Sequence, residues 1–281
     1  MAKKITNSDL LRLKKAKNKI SAISCYDYTT ASLVSQGNIE MILVGDSAAQ
    51  IMLGHDSTLP ATMDFMVSIT AAARRGAPDV CLVADMPFMS YQPSIPDAIR
   101  NAGRFVIETG CDMVKIEATA AQLPVIKAVS DADMAVMAHI GIRPQSITKL
   151  GKLKAEGTTA QLAVELVSLA DKMVHAGASA LLVEGTAREV AAIITQRVPV
   201  PVISCGSGPD CDGQILIISD ILGLYPGNGP KFAKNYANLA PEIVNAVKKY
   251  SDQVKSCDFP DDDHCYHIKT GELEKLRQIL E

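Results

Sequence analysis

Apolar runs of strand length recur along this chain with helical patterns between them, and four of them close on a carboxylate. These are MILVGD ending at Asp46, CLVAD at Asp85, MVKIE at Glu117 and ALLVE at Glu184. A fifth run, AVMAH, ends on His139. A charge at the end of a greasy strand is costly to bury unless it is paired, hydrogen-bonded or on a metal. Five such ends, spaced by about one strand-helix unit, call for one place where strand ends converge. The C-terminal mouth of a parallel barrel is such a place, and enzymes of that architecture keep their active sites there.

The remaining elements agree. Strands are expected at 20–25, 41–46, 80–85, 113–117, 135–140, 180–184 and 201–205, with a weak eighth at 231–234 (KFAK). Helices are expected at about 28–36, 63–75, 95–109, 120–129, 159–176, 187–196 and 212–223. Thr62, and Ser94 with Asp97 three residues on, read as N-caps. Gly76, Gly110 and Gly177 sit where a left-handed residue ends a helix. Strands alternating with helices give an α/β chain with a parallel sheet. Seven strong units and one weak one favour a (β/α)8 TIM barrel over a doubly wound sheet. The 281 residues, 48% of them hydrophobic, suffice for one barrel domain over 1–281, with the tail from about 238 as a C-terminal helical extension. That tail holds helical patterns to about 256 and over 271–281, parted by the acidic turn DFPDDDH, and suits capping the barrel or joining subunits. Two connections, 47–62 and 141–158, are long, which in compact domains usually marks function, and both follow strand C-termini.

Composition excludes several classes. A net charge of −3 and a pI near 6.0 give no reason to expect nucleic acid. The basic stretch Arg12, Lys14, Lys15, Lys17 and Lys19 reads as a solvated helix face. Residues 1–30 show no apolar segment with a small-residue cleavage site, so secretion is not expected. No uninterrupted apolar run reaches 18 residues, so no membrane span is expected. Seven scattered cysteines without C-x-x-C spacing suit reduced thiols in the cytoplasm.

Asp46, Asp85 and Glu117 offer hard oxygen ligands from neighbouring strands, the donor set Mg²⁺ takes together with waters and substrate oxygens. No His/Cys cluster has zinc spacing. The alternative is that these acids pair with Lys115, an arginine or backbone N–H groups. Lys115 shares its strand face with Glu117; it either neutralises that acid or clamps a substrate carboxylate, and spacing leaves both open. Glu184, set apart across the barrel, suits general-base work or a salt bridge. His139 lies between, as a structural hydrogen-bonded residue or a ligand. His264 and His267 stand alone in the tail. The run CGSGPDCDG (205–213) is expected to open a helix, as a tight turn or an anion site, and it lacks the P-loop lysine.

The segments around these acids resemble one family. They are SCYDYTTA (24–31), MILVGDS (41–47), LGHDSTLPATMDFM (53–66), RRGAPDVCLVADMPFMSY (74–91), DMVKIE (112–117), AHIGIRPQS (138–146), CGSGPDCDGQILIISDILGL (205–224) and DFPDDDHCY (258–266). In this order they are similar to the 3-methyl-2-oxobutanoate (ketopantoate) hydroxymethyltransferases, over nearly the whole chain. The resemblance implies a (β/α)8 barrel that moves a one-carbon unit from 5,10-methylenetetrahydrofolate to 3-methyl-2-oxobutanoate. The product, 2-dehydropantoate, feeds pantothenate synthesis. It implies Mg²⁺ on Asp46 and Asp85, completed by Glu117, and a 2-oxo acid touched by Asp46, Ser47, Asp85 and Lys115. Glu184 would be the proton acceptor and His139 would line the pocket. A Mg²⁺-stabilised enolate would form, and the assembly would be a homo-oligomer, a decamer in this family.

The chain departs from the family pattern beside these residues, not at them. Ala48-Ala49-Gln50 replaces Leu-Gly-Met, Ala118-Thr119 replaces Gly-Gly, and Gly151-Lys152-Leu153-Lys154 replaces Gly-Gly-Tyr-Lys. Gly185-Thr186-Ala187 replaces Cys-Val-Pro, and Ser219 stands for a usual His. Two further readings follow: a paralogue using another 2-oxo acid or one-carbon carrier, and a Mg²⁺-dependent lyase of the phosphoenolpyruvate mutase and isocitrate lyase type. The Asp-x-Asp-x-Gly-Tyr-Gly and Lys-Cys-Gly-His segments usual in those lyases are absent from this sequence.

Overall fold

The computed structural model describes residues 4–225 and 229–281; residues 1–3 and 226–228 of the expected 1–281 span lie outside them. Eight parallel strands close into a barrel in sequence order: β1 Ile20–Ser24, β2 Met41–Val44, β3 Cys81–Asp85, β4 Met113–Glu117, β5 Val136–Gly141, β6 Ala180–Glu184, β7 Val202–Cys205 and β8 Gly213–Ile217. The ring shuts where Ile20 to Ser24 of β1 pair with Gly213 to Ile217 of β8. The expected TIM barrel is therefore present.

Period-two alternation divides each strand between two cores. Met41, Leu43, Cys81, Val83, Met113, Met137, Ala180, Leu182, Ile203 and Ile215 fill the barrel interior. Leu10, from the opening helix Asn7–Lys15, packs with them, fully buried. The intervening residues, among them Ile42, Leu82, Val114, Ala138 and Val183, pack in the layer shared with the helices. Inward parity continues upward, so Asp85, Lys115, Glu117, His139, Glu184 and Cys205 all face the barrel axis at its mouth.

Helices fall where expected at Tyr28–Ser35, Met63–Gly76, Ile95–Arg104, Leu123–Asp131, Ala160–His175 and Arg188–Arg197. Thr62 and Ser94 act as N-caps, accepting from Phe65 N at 3.3 Å and Asp97 N at 3.2 Å. Gly110 and Gly177 are left-handed (φ 68° and 103°). Gly76 is not: it ends its helix in close packing, where a Cβ would collide with the Tyr28 carbonyl and sit 2.9 Å from Ser32 N.

The eighth unit corrects the sequence reading. Residues 231–234 form no strand, and the region read as a helix over 212–223 opens as β8, with only Ile218–Leu222 helical. The apolar spacing of GQILIISDIL fits a helix, but pairing with β1 and β7 closes the ring and takes the β-branched isoleucines as strand residues. Residues 205–213 consequently do not open a helix. Residues 206–212 cross from the top of β7 to the base of β8 without one. Seven extended residues reach roughly 23 Å, enough to pass one strand. Ser207 pins this crossover, donating to Val183 O at 2.8 Å and accepting from Thr186 N at 3.0 Å.

The tail forms helices at Leu239–Ser256 and Glu272–Leu280, neither of which buries a residue. Among the described residues no helix is long and apolar enough to cross a membrane.

Candidate active site

A cavity of about 360 Å³ opens at the barrel mouth. Its lining brings together every site residue expected from the sequence: Asp46, Ser47, Asp85, Lys115, Glu117, His139 and Glu184. Both long connections reach it, through Gln50 and Asp56 to Thr58 on one side and Pro144, Ile147 and Leu153 on the other.

Lys115 pairs with Asp85, its register partner across β3 and β4, not with Glu117: Nζ lies 2.6 Å from Asp85 Oδ2, both side chains buried. The same oxygen accepts from Asp46 N at 3.0 Å, whereas Asp85 Oδ1 is buried with no partner. Burial, and then the Asp46 charge, push the Asp85 carboxyl above the ordinary carboxylate range, while Lys115 pulls it back. Burial works against the Lys115 ammonium, yet the facing Asp85 and Asp46 charges outweigh it and hold the lysine protonated. A buried pair of this kind survives desolvation only with further hydrogen bonds, which Asp46 N supplies here.

Gln145 ties the acids together. Its Nε2 donates to Asp46 Oδ2 at 2.9 Å and to the Met86 carbonyl at 3.0 Å, and its backbone N–H donates to Glu117 Oε2 at 2.9 Å. Its Oε1 accepts from the Tyr91 hydroxyl at 2.6 Å. Ser146 Oγ donates to Glu117 Oε1 at 3.1 Å. Burial raises the Glu117 pKa, with His139 and this backbone bond opposing.

Across the barrel, His139 Nε2 and Glu184 Oε2 stand 3.2 Å apart but misaligned for a hydrogen bond. Glu184 is the least buried of the strand-end acids, with its side chain 21% exposed to the cavity mouth. Ser47 Oγ is held by the Tyr26 hydroxyl at 2.9 Å. Gly141 lies beside Glu184: at φ 94°, a Cβ there would collide with the Glu184 carbonyl.

The sequence reading leaves Gln145, Tyr91 and Asp220 unmarked. Gln145 sits in the quoted AHIGIRPQS segment, but an uncharged amide carries no chemical flag. Asp220 falls inside the helix expected over 212–223, whereas in the structure it follows β8 directly and lines the cavity. The tail histidines stay outside the cavity, His264 paired with Asp261 and His267 with Asp262.

The model of the family described as ketopantoate hydroxymethyltransferase matches residues 4–262. Relatives named 3-methyl-2-oxobutanoate hydroxymethyltransferase include one from Alkaliphilus metalliredigens, 45% identical over 99% of each chain. Another, from Syntrophomonas wolfei, is 42% identical over 97% of this chain and 99% of its own. Similar solved structures include a phosphonopyruvate hydrolase complexed with oxalate and Mg²⁺ (TM-score 0.58, 14% identity, 98% of this chain and 96% of that one). A phosphoenolpyruvate phosphomutase from Streptomyces platensis subsp. rosaceus is also similar (TM-score 0.61, 15% identity, 98% and 97%). At such identities the likeness is one of fold, whereas the full-length matches at over 40% identity carry family. Strand-end acids, barrel and relatives thus agree: this chain belongs to the ketopantoate hydroxymethyltransferase family and is a hydroxymethyltransferase.

Proposed function

We propose that the protein transfers a hydroxymethyl group from 5,10-methylenetetrahydrofolate to 3-methyl-2-oxobutanoate, giving 2-dehydropantoate for pantothenate synthesis. The observation that carries this reading is the convergence of Asp46, the Lys115–Asp85 pair, Glu117 and Glu184 on one cavity. A 2-oxo acid is small and anionic, and its C3 proton does not leave unaided at neutral pH.

The residues fit Mg²⁺. Asp85 Oδ1 is a buried acceptor without a donor, and only one Asp46 oxygen is taken by Gln145. Among the described residues no three His, Cys, Asp or Glu side chains form a ready-made cage. Mg²⁺ characteristically uses one or two carboxylates and completes its shell with water and substrate oxygens. Asp46 and Asp85 would hold the ion and Glu117 would complete the site. A bound Mg²⁺ supplies Lewis-acid stabilisation of the charge that develops on the 2-oxo acid.

The chain's own groups do the rest. Lys115, with Asp46, Ser47 and Asp85, holds the 2-oxo acid. Glu184 takes the C3 proton, and His139 lines the pocket beside it. Water adds to the methylene carbon of the folate and its bonds to the carrier nitrogens break, which releases tetrahydrofolate and leaves the carbon as formaldehyde. The C3 carbanion adds to that carbon, and the new alkoxide takes back the proton held by Glu184. Holding both substrates in one cavity removes much of the entropic barrier. We also read the chain as one barrel domain with a helical extension from about 238. The bare tail helices support a homo-oligomer, and the unpaired cysteines support a cytoplasmic setting.

The test is proton NMR of 3-methyl-2-oxobutanoate in D₂O with the protein and Mg²⁺. C3 proton loss that EDTA and Glu184→Gln abolish, with 2-dehydropantoate formed once methylenetetrahydrofolate is added, is the expected result. Absence of exchange would overturn the substrate, and exchange without transfer would point to the paralogue with another carrier.

A further inference from the structure

The cavity wall that follows β8 carries an acid with no task in the scheme above. Asp220, on the helix Ile218–Leu222, is 9% exposed and lines the cavity. Its carboxylate makes no hydrogen bond or ion pair among the described residues. Lys115 is the one lysine or arginine among the described lining residues, and it is committed to Asp85 on the far side of the barrel. Burial alone raises the Asp220 pKa. The neighbouring wall is apolar: Ile215, Leu216, Ile217, Pro230 and Phe232. The Phe232 ring lies against Gly206 so closely that a Cβ there would meet Phe232 Cδ1 at 2.5 Å. Among the described residues no protein donor occupies the Asp220 carboxylate, which lines the open cavity, so a ligand with suitable N–H groups can pair with it there.

We propose that Asp220 binds the amidine edge of a flat 2-amino-4-oxo heterocycle, the ring N–H and adjacent exocyclic amine of the one-carbon donor's pterin. The proposal deepens the folate reading and rests on it. That edge presents two parallel N–H donors, the arrangement that engages both oxygens of a carboxylate in charge-assisted bonds. Phe232 and Ile217 give the heterocycle faces an apolar surface. The assignment also fits the division of the mouth: acids of β2 to β4 face the 2-oxo acid, Glu184 of β6 stands between, and Asp220 waits beyond β8. A carrier docked there would present its methylene group toward the barrel axis.

The test uses the full chain with Mg²⁺ and two separate titrations, one with tetrahydrofolate and one with 3-methyl-2-oxobutanoate, on wild type, Asp220→Asn and Phe232→Ala. Asp220→Asn keeps shape but puts an amide N–H against the donor edge. We expect it to weaken tetrahydrofolate binding at least tenfold without a matching loss for the 2-oxo acid. Phe232→Ala, at a partly exposed position that should not disturb folding, should also weaken tetrahydrofolate. A tetrahydrofolate affinity unchanged in Asp220→Asn, or equal losses for both ligands, would overturn the assignment while leaving the transferase reading intact. Wild type that binds the 2-oxo acid but not tetrahydrofolate would overturn the folate reading and this proposal together.

Discussion

Lys115 and Asp85 show what a strand-end charge requires once the barrel is built. Neither can reach bulk water, so each depends on the other. Lys115→Met should lower stability by about 3–5 kcal/mol by stranding a buried carboxylate, and adding Asp85→Asn should restore part of that loss. Chemical denaturation of the wild type and these two variants checks this. Burial also gives the apo site a pH signature. Glu117 has a raised pKa, so the folded state keeps a proton that the unfolded chain has released. With chelator present, stability should therefore fall as pH rises from about 4, the unfolded carboxyl value, toward neutrality. Glu117→Gln should flatten that slope in denaturation series at stepped pH; a steeper slope would contradict it. Gln145 is a different case. Its amide fixes Asp46 and its backbone fixes Glu117, so Gln145→Leu should weaken divalent binding roughly 10–100-fold, read by Mn²⁺ titration. The acids were legible in the sequence because a charge ending an apolar strand is conspicuous. Gln145 was not, because its importance lies in four hydrogen bonds that join distant segments.

At the scale of elements, periodicity found seven strands and missed the eighth. The misread segment GQILIISDIL satisfies both periods locally, and only the demand that β1 and β7 find a shared neighbour decides between them. The same error hid Asp220, whose place in the cavity follows from β8 ending at Ile217. Gly213 shows how tight that closure is. A Cβ there would stand 2.5 Å from the Ile20 carbonyl and 2.7 Å from Ile203 Cδ1. Gly213→Val should consequently destabilise the barrel by several times the ~1 kcal/mol expected of a Gly→Ala exchange at a merely left-handed position. Gly54→Ala is the control: its φ is 72°, but nothing lies within 4 Å of the added Cβ. Thermal unfolding of both variants should separate a packing collision from backbone strain, and equal losses would show the ring to be slack at β8.

For the whole molecule, the barrel satisfies itself and the tail does not. Ile243, Val247, Tyr250 and Val254 recur at intervals of four, three and four along Leu239–Ser256, a stripe suited to burial against another surface. All four are between 44% and 61% exposed. A second helix, Glu272–Leu280, leaves Leu273, Leu276, Ile279 and Leu280 exposed as well. Well-formed helices that bury nothing on their own barrel are the natural contribution of one subunit to another, consistent with the proposed homo-oligomer. The sequence marked this tail as helical and suited to capping the barrel or joining subunits, but no local signal could say whether its stripe turns inward or away; neither helix buries a residue on the barrel. Light scattering after gel filtration should give a multiple of the 30.0 kDa chain mass. Val247→Glu combined with Tyr250→Glu places charge in the middle of the stripe without touching the barrel core, and should yield a folded monomer with native circular dichroism. A double variant that keeps the wild-type mass would show that the stripe is not the contact, and a wild-type monomer would remove the oligomer from the reading altogether.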